Sequence, residues 1–199
     1  MLTRIRGALA DSEPVAVTRG YREAGTLAAA DVVCRFVERL EDYGATVVRS
    51  SADVSAFLEG RVVVAPDLPV SLRPIGVELV KDDGLTAAEL DGLDTALTTC
   101  AVACAETGSI ALDGGPGQGR RAITLVPDLH VCIVRVEDIV ETVPELIARL
   151  AESAREGRPI VIVSGPSATS DIELDRVEGV HGPRRLIVVL HDQPPGSAG

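Results

Sequence analysis

A carboxylate beside a glycine is the position in this chain with the clearest potential for chemistry. Glu106 follows an apolar run and is itself followed by Thr107 and Gly108. A carboxylate in this setting can be partly buried, and burial raises the pKa of a carboxyl group. We therefore predict Glu106 as a candidate catalytic residue, with Thr107 and Gly108 as ligand contacts. The structural alternative is that Glu106 accepts hydrogen bonds from a downstream glycine loop and holds it closed.

That glycine loop covers residues 114–120 and reads Gly-Gly-Pro-Gly-Gln-Gly-Arg. Glycines let the backbone approach a ligand closely, and consecutive N–H groups can form a concavity that binds anions. Arg120 or Arg121 would reinforce such a site. The predicted ligand contacts are Gly117, Gln118, Gly119 and Arg120. The loop lacks the spacing of dinucleotide-binding and phosphate-binding loops, so an exposed hairpin loop is the alternative.

A second candidate loop follows a predicted strand at 160–163. Ligands of open α/β sheets usually bind beyond the carboxyl ends of the strands. The spacing Ser170-x-x-Glu173 could also cap a helical turn, and its N–H groups would face a ligand. The predicted contacts in this loop are Ser164, Gly165, Ser167 and Thr169. A well-capped loop with no ligand is an equally good interpretation.

His181, in the run His-Gly-Pro-Arg, is a weaker catalytic candidate. Histidine titrates near neutral pH and can act as a general acid–base residue. A structural histidine before the final strand is the alternative.

The composition excludes several classes of function. A net charge of −11 repels nucleic-acid backbones, and 2% aromatic residues cannot provide a base-stacking surface. No apolar run is long enough to span a membrane, and the short, charged N-terminus does not resemble a signal peptide. The four cysteines form no C-x-x-C pair and the three histidines are dispersed. We therefore predict a cytoplasmic protein that has no metal site and binds no nucleic acid.

Short apolar strands alternate with amphipathic helices along the chain. The predicted strands are 46–48, 61–65, 76–81, 94–100, 129–134, 160–163 and 186–190. Capping boxes begin helices after Thr86 and Thr142, and a longer helix follows Thr26. This alternation predicts an α/β fold, with a mainly parallel sheet and helices on both faces. The predicted organisation is an N-terminal helix and connection (1–25), one domain (26–192) and a disordered tail (193–199).

Three blocks of the sequence resemble the LUD-domain family, and specifically its lactate utilisation protein C (LutC) group. The first runs from Ala-Glu-Thr-Gly at 105–108 through the glycine loop to Pro127-x-x-His130. The second is the run at 164–173, and the third is Gly-Val-His-Gly-Pro-Arg at 179–184. The chain departs from the family pattern at Ala168, where arginine is usual, and at Ser109, where threonine is usual. The change at Ala168 removes an expected anion contact.

The resemblance implies the fold of sugar-phosphate isomerases and CoA-transferases (NagB/RpiA/CoA-transferase-like). It also implies a component of a cytoplasmic system that oxidises L-lactate to pyruvate together with iron–sulphur partner proteins. This chain would be the non-redox subunit, with no cofactor of its own. The Glu-Thr-Gly setting is similar to that of the nucleophilic glutamate of class I CoA-transferases. The alternative function is therefore a stand-alone enzyme, or a binder of a small anionic metabolite, that uses Glu106.

Overall fold

The protein is described here by a computed structural model that covers residues 2–9, 17–49, 53–169, 177–178 and 182–191. The strands are β1 (Thr46–Arg49), β2 (Val62–Val64), β3 (Leu79–Lys81), β4 (Thr95–Thr99), β5 (Val102–Cys104), β6 (Ser109–Leu112), β7 (Leu129–Arg135), β8 (Ile139–Val140), β9 (Val161–Val163), β10 (Ala168–Thr169), β11 (Val177–Glu178) and β12 (Arg185–His191). The α-helices are α1 (Leu2–Leu9), α2 (Ala29–Asp42), α3 (Ala87–Asp91) and α4 (Val143–Arg155). The predicted tail, 193–199, lies outside the described residues.

A six-stranded parallel sheet forms the centre of the fold, in the order β1-β12-β7-β4-β2-β3. Strand β7 lies between β12 and β4, and all its residues except the last are buried. Strands that are buried on both faces contain nearly continuous apolar runs, which is why the runs at 61–65, 129–134 and 186–190 could be predicted as strands. The predicted α/β fold with a mainly parallel sheet is confirmed.

The two faces of this sheet have different coverings. Helix α2 packs on one face through a stripe that contains Phe36 and Leu40, both 0% exposed. Helix α3 packs on the same face near β2 and β4, through Leu90. The opposite face is covered by 3-10 turns at Ser55–Phe57 and Val70–Leu72 and by their flanking loops. Helix α1 is exposed along the part of it whose side chains are described.

A second, smaller sheet packs between α4 and the central sheet, in the order β8-β5-β6-β9. The strand predicted at 160–163 belongs to this sheet, because β9 pairs antiparallel with β6. The prediction that this strand lies in the parallel sheet was therefore wrong. The loop from Ser164 onward consequently does not follow the carboxyl end of a central strand.

Both predicted capping boxes are present. The side chain of Thr142 accepts a hydrogen bond from the Glu145 backbone, and the Glu145 side chain accepts one from the Thr142 backbone. Thr86 and Glu89 make the same exchange at the start of α3. These reciprocal bonds satisfy N–H groups that have no partner inside the helix, so each helix begins at the residue that the sequence predicts.

Candidate functional site

A cavity of about 670 Å³ lies at the carboxyl ends of β4, β7 and β12. Its floor includes Thr99 at the end of β4, the following Cys100, Ile133 of β7 and His191 of β12. One wall is the C-terminal half of α4, and another is the 3-10 turn at Val70–Leu72. This is the edge at which open α/β sheets usually bind ligands. The volume is within the range of small-molecule sites, about 300–1,000 Å³.

The predicted glycine loop forms part of the cavity wall. Gly115, Pro116 and Gln118 line the cavity. Gly117 has a φ of 74°, and a Cβ placed on it would lie 3.0 Å from the Thr99 hydroxyl oxygen. Only glycine fits this close approach without strain. The loop therefore lies at the cavity as a ligand-binding interpretation requires, and ligand contact by Gly117, Gln118 and Gly119 stays a prediction.

A buried network fastens this loop to the end of α4. Asp113 accepts hydrogen bonds from the Gly115 amide at 3.0 Å and from the Ser153 hydroxyl, and Arg158 lies 3.1 Å from its second oxygen. The Gln118 side chain accepts a hydrogen bond from the Asp113 amide at 2.6 Å. Burial acts to raise the pKa of Asp113, but these hydrogen bonds and the Arg158 charge outweigh it and hold the pKa below its usual value. Asp113 is thus ionised and positions the loop.

Arg120 is already held by a protein carboxylate. Its Nε donates to one Asp82 oxygen at 2.6 Å and its Nη2 to the other at 2.8 Å, and it also donates to the Leu85 carbonyl. The Asp82 side chain is only 1% exposed. Burial acts to raise the pKa of Asp82, but hydrogen bonds from Arg120 and the Leu85 amide lower it below its usual value. The anion that Arg120 binds in this structure is therefore Asp82.

Glu106 contacts the N-terminal connection and the start of α4. One carboxylate oxygen lies 2.5 Å from Nη2 of Arg22, and the other accepts a hydrogen bond from the Val143 amide at 3.3 Å. Arg22 also lies 3.9 Å from the buried Glu141. The suggestion that Glu106 closes the glycine loop was wrong, because its partners lie elsewhere. Its carboxylate does not line the cavity.

The predicted contacts of the second loop also lie outside the cavity. The hydroxyls of Thr107 and Ser109 are 2.8 Å apart, and those of Ser109 and Ser164 are 2.7 Å apart. The chain of three hydroxyls joins β6 to the loop after β9. The Ser167 amide donates to the Pro183 carbonyl at 2.8 Å, and Thr169 lies in β10. His181 lies outside the described residues, so its role stays a prediction.

Gly108 and Gly165 have a packing role, because each lies against the C-terminal end of α2. Gly108 has a φ of 59°, and a Cβ placed on it would lie 2.8 Å from Cβ of Arg39. Gly165 has a φ of 86°, and its Cβ would lie 2.7 Å from Cβ of Tyr43. Both glycines allow the small sheet to approach α2 closely, which explains these two positions without a ligand.

We expect Gly108→Ala to lower the free energy of unfolding by about 2 kcal/mol more than Gly157→Ala does. Gly157 has a φ of 72°, but a Cβ placed on it would meet no atom within 4 Å, so its variant measures backbone strain alone. Gly108→Ala adds a clash with the α2 backbone. Urea unfolding of the two variants measures the difference. Equal losses of unfolding free energy would contradict the prediction, because they would show that α2 shifts to relieve the clash at no cost.

Three arginines on the cavity wall were not among the residues predicted from the sequence. Arg135 follows the buried part of β7, Arg149 is on α4, and Arg158 follows the end of α4. The polar positions of α4 next to its apolar stripe could have drawn attention to Arg149. Its position beside the ends of β4 and β7 depends on how α4 packs, which the sequence pattern does not show.

No cluster of three or more histidine, cysteine or acidic residues suited to a metal ion occurs among the residues that the structure describes. Within the same residues, no helix is long and apolar enough to cross a membrane.

A family model described as the LUD domain matches residues 80–191. The chain belongs to the LUD-domain family. The match covers Glu106, the glycine loop and the three central strands whose ends form the cavity floor. The resemblance noted in the sequence is thereby confirmed.

Relatives of this LUD-domain protein match it over different lengths. A Deinococcus radiodurans protein named "Lactate utilization protein C" is 46% identical over 201 residues, which cover 96% of this chain and 93% of that protein. A Bacillus pumilus protein of the same name is 35% identical over 92 residues, 44% of this chain and 38% of that protein. A crystal structure of a DUF162-family protein from Deinococcus radiodurans is 38% identical. The structural match covers 83% of this chain and 99% of the DUF162-family chain, with a TM-score of 0.71. Its likeness is consistent with the predicted NagB/RpiA/CoA-transferase-like fold.

Proposed function

We propose that this LUD-domain protein is a component of a lactate utilisation system. The observation that carries the proposal is the 46% identity to the Deinococcus radiodurans protein named "Lactate utilization protein C", across nearly the whole of both chains. Identity at this level over full length supports a shared role more strongly than a shared fold does.

The finer proposal is that the system oxidises L-lactate to pyruvate in the cytoplasm and that this chain is its non-redox subunit. The iron–sulphur clusters would then be held by partner proteins, and this chain would contribute binding surface and positioning. The LutC resemblance supports this division of roles.

The alternative of a stand-alone CoA-transferase-like enzyme depends on a reactive carboxylate at Glu106. Such a nucleophile must reach a substrate that sits in a ligand site. In the structure, the Glu106 side chain is 36% exposed, is paired with Arg22, and lies outside the cavity. These contacts favour a structural role in which Glu106 fastens the N-terminal connection to α4.

Deleting the gene tests the proposal. We expect the deletion strain to grow poorly on L-lactate and normally on pyruvate, and the wild-type gene on a plasmid should restore growth on lactate. Complementation with Glu106→Gln should also restore growth, at least in part, because the amide can still accept a hydrogen bond from Val143. Normal growth of the deletion strain on lactate, in a background without a second lactate oxidase, would contradict the proposal.

Loss of complementation by Glu106→Gln would favour the CoA-transferase-like alternative if the variant protein accumulates and melts normally. Isolation of the wild-type chain from lactate-grown cells tests the partner proposal separately. We expect iron–sulphur proteins to be recovered with it, and their absence would contradict a shared complex.

A further inference from the structure

The charges on the cavity wall are largely paired with one another. Arg135 lies 2.7 Å from Asp138 and 3.0 Å from Glu137. Arg158 is held by Asp113 at 3.1 Å and by the Ser153 hydroxyl at 2.8 Å. Both arginines are therefore neutralised by carboxylates of this chain. Nε of Arg158 lies 2.9 Å from a Glu156 oxygen, although it makes no hydrogen bond within the described residues.

Arg149 differs from the other two arginines. Among the described residues its guanidinium makes one contact, a long hydrogen bond of 3.4 Å from Nη2 to the Glu137 carbonyl, and it is in no ion pair. Its neighbour Glu152 is engaged by Arg155 at 2.7 Å. A guanidinium has five N–H donors, so most of those on Arg149 are available at the cavity wall. Such donors suit a carboxylate or phosphate group.

The remainder of the lining indicates the size and character of a ligand. Leu72, Ile133 and two prolines provide apolar surface, and the Gln118 and Thr99 side chains lie among them. A cavity of about 670 Å³ is far larger than L-lactate or pyruvate needs. The lining thus combines apolar surface with charges that are mostly paired and one arginine that is in no ion pair, which suits an organic anion.

We propose that this cavity binds an organic anion of nucleotide size, with the phosphate or carboxylate group of the ligand on Arg149. The body of the ligand lies over the strand ends at Thr99–Ala101, against the glycine loop. This site is distinct from the Glu106 region and does not depend on the lactate assignment, because binding is measured on the purified chain.

Calorimetric titration with ADP tests the proposal, with inorganic phosphate and L-lactate as small-anion comparisons. The net charge of −11 repels anions, so the titrations are done at physiological salt, where this repulsion is screened beyond about 8 Å. We expect ADP to bind, and Arg149→Ala to weaken binding by about ten- to a hundredfold, as the loss of a charge-assisted hydrogen bond implies. Because Arg149 is exposed, its variant should keep the wild-type melting temperature.

Arg155→Ala is the matched control. Arg155 lies on the same helix and carries the same charge, but it pairs with Glu152 and does not line the cavity. It should leave ADP affinity unchanged within about twofold, because exposed charge pairs contribute little. Absence of ADP binding, equal weakening by the two variants, or tighter binding of inorganic phosphate or lactate than of ADP would overturn the proposal.

A fluorescent reporter tests the location. The chain has no tryptophan, so Ser71→Trp places a single indole at the exposed edge of the cavity wall. We expect ADP to change the emission of this indole and to lose that effect in the Ser71→Trp, Arg149→Ala double variant. ADP that still binds Ser71→Trp by calorimetry without changing its emission would place the ligand elsewhere and overturn the proposal.

Discussion

Replacing Arg120 with alanine is expected to lower the free energy of unfolding by about 3 kcal/mol. The change removes both hydrogen bonds from Arg120 to Asp82 and leaves a carboxylate that is only 1% exposed without a counter-charge. Backbone amides, such as that of Leu85, are then its remaining hydrogen-bond donors. Removing one partner of a buried ion pair costs about 3–5 kcal/mol. We expect a loss at the lower end of this range because Arg120 itself is partly exposed. Urea unfolding of the variant measures the loss.

Arg121→Ala provides the control for this prediction. Arg121 is the neighbouring residue, has the same charge and is exposed, so its loss should change stability by less than about 0.5 kcal/mol. Adding Asp82→Asn to Arg120→Ala removes the stranded charge and should recover part of the loss. If the Arg120 and Arg121 variants unfold alike, the ion pair does not stabilise the fold.

The buried His130 is expected to make the protein lose stability as the pH falls. Its side chain is 1% exposed, its Nε2 lies 2.8 Å from the Thr98 hydroxyl, and burial lowers its pKa from 6.5 to about 4. The unfolded chain binds a proton near pH 6.5, whereas the folded chain resists protonation until about pH 4. The contribution is therefore fully present above pH 6.5 and is lost as the pH falls towards 4. The loss amounts to about 3 kcal/mol.

Urea unfolding of wild type and His130→Gln across this pH range measures the effect. Glutamine can still bond to Thr98 but does not titrate, and carboxylates contribute to both proteins alike. As the pH falls from 7 to 4, the wild type should therefore lose about 3 kcal/mol more unfolding free energy than the variant does. Parallel pH profiles would show that His130 is protonated in the folded state as readily as in the unfolded one.

Local signals in the sequence were sufficient to predict the six strands of the central sheet and the helices α2, α3 and α4, but not β5, β6 and β8 of the small sheet. The three-valine run at 62–64 became a buried strand, and the Thr86 and Thr142 capping boxes began helices. These signals act between residues a few positions apart, so they operate whatever the rest of the chain does. The family blocks were equally readable, because they are runs of residue types in a fixed order.

The small sheet shows that local signals do not determine which strands pair. The apolar run at 160–163 predicts a strand, but the run has no information on its pairing partner. That partner is β6, about fifty residues earlier, and it takes β9 out of the parallel sheet. The Ser164 loop consequently lies next to Thr107 and Ser109 and not at the ligand-binding edge.

Contacts between residues far apart in the chain also separated the residues that were predicted to form one site. The glycine loop that the sequence singles out lies at the cavity, yet Arg120 faces Asp82, 38 residues away. Glu106 faces Arg22, 84 residues away, and Arg149 reaches the cavity only because α4 packs beside the strand ends. The sequence by itself determined which residues are chemically capable and which local elements hold them. Tertiary structure decided which of those residues are already paired, because a charge far along the chain becomes a partner only when the topology brings it near.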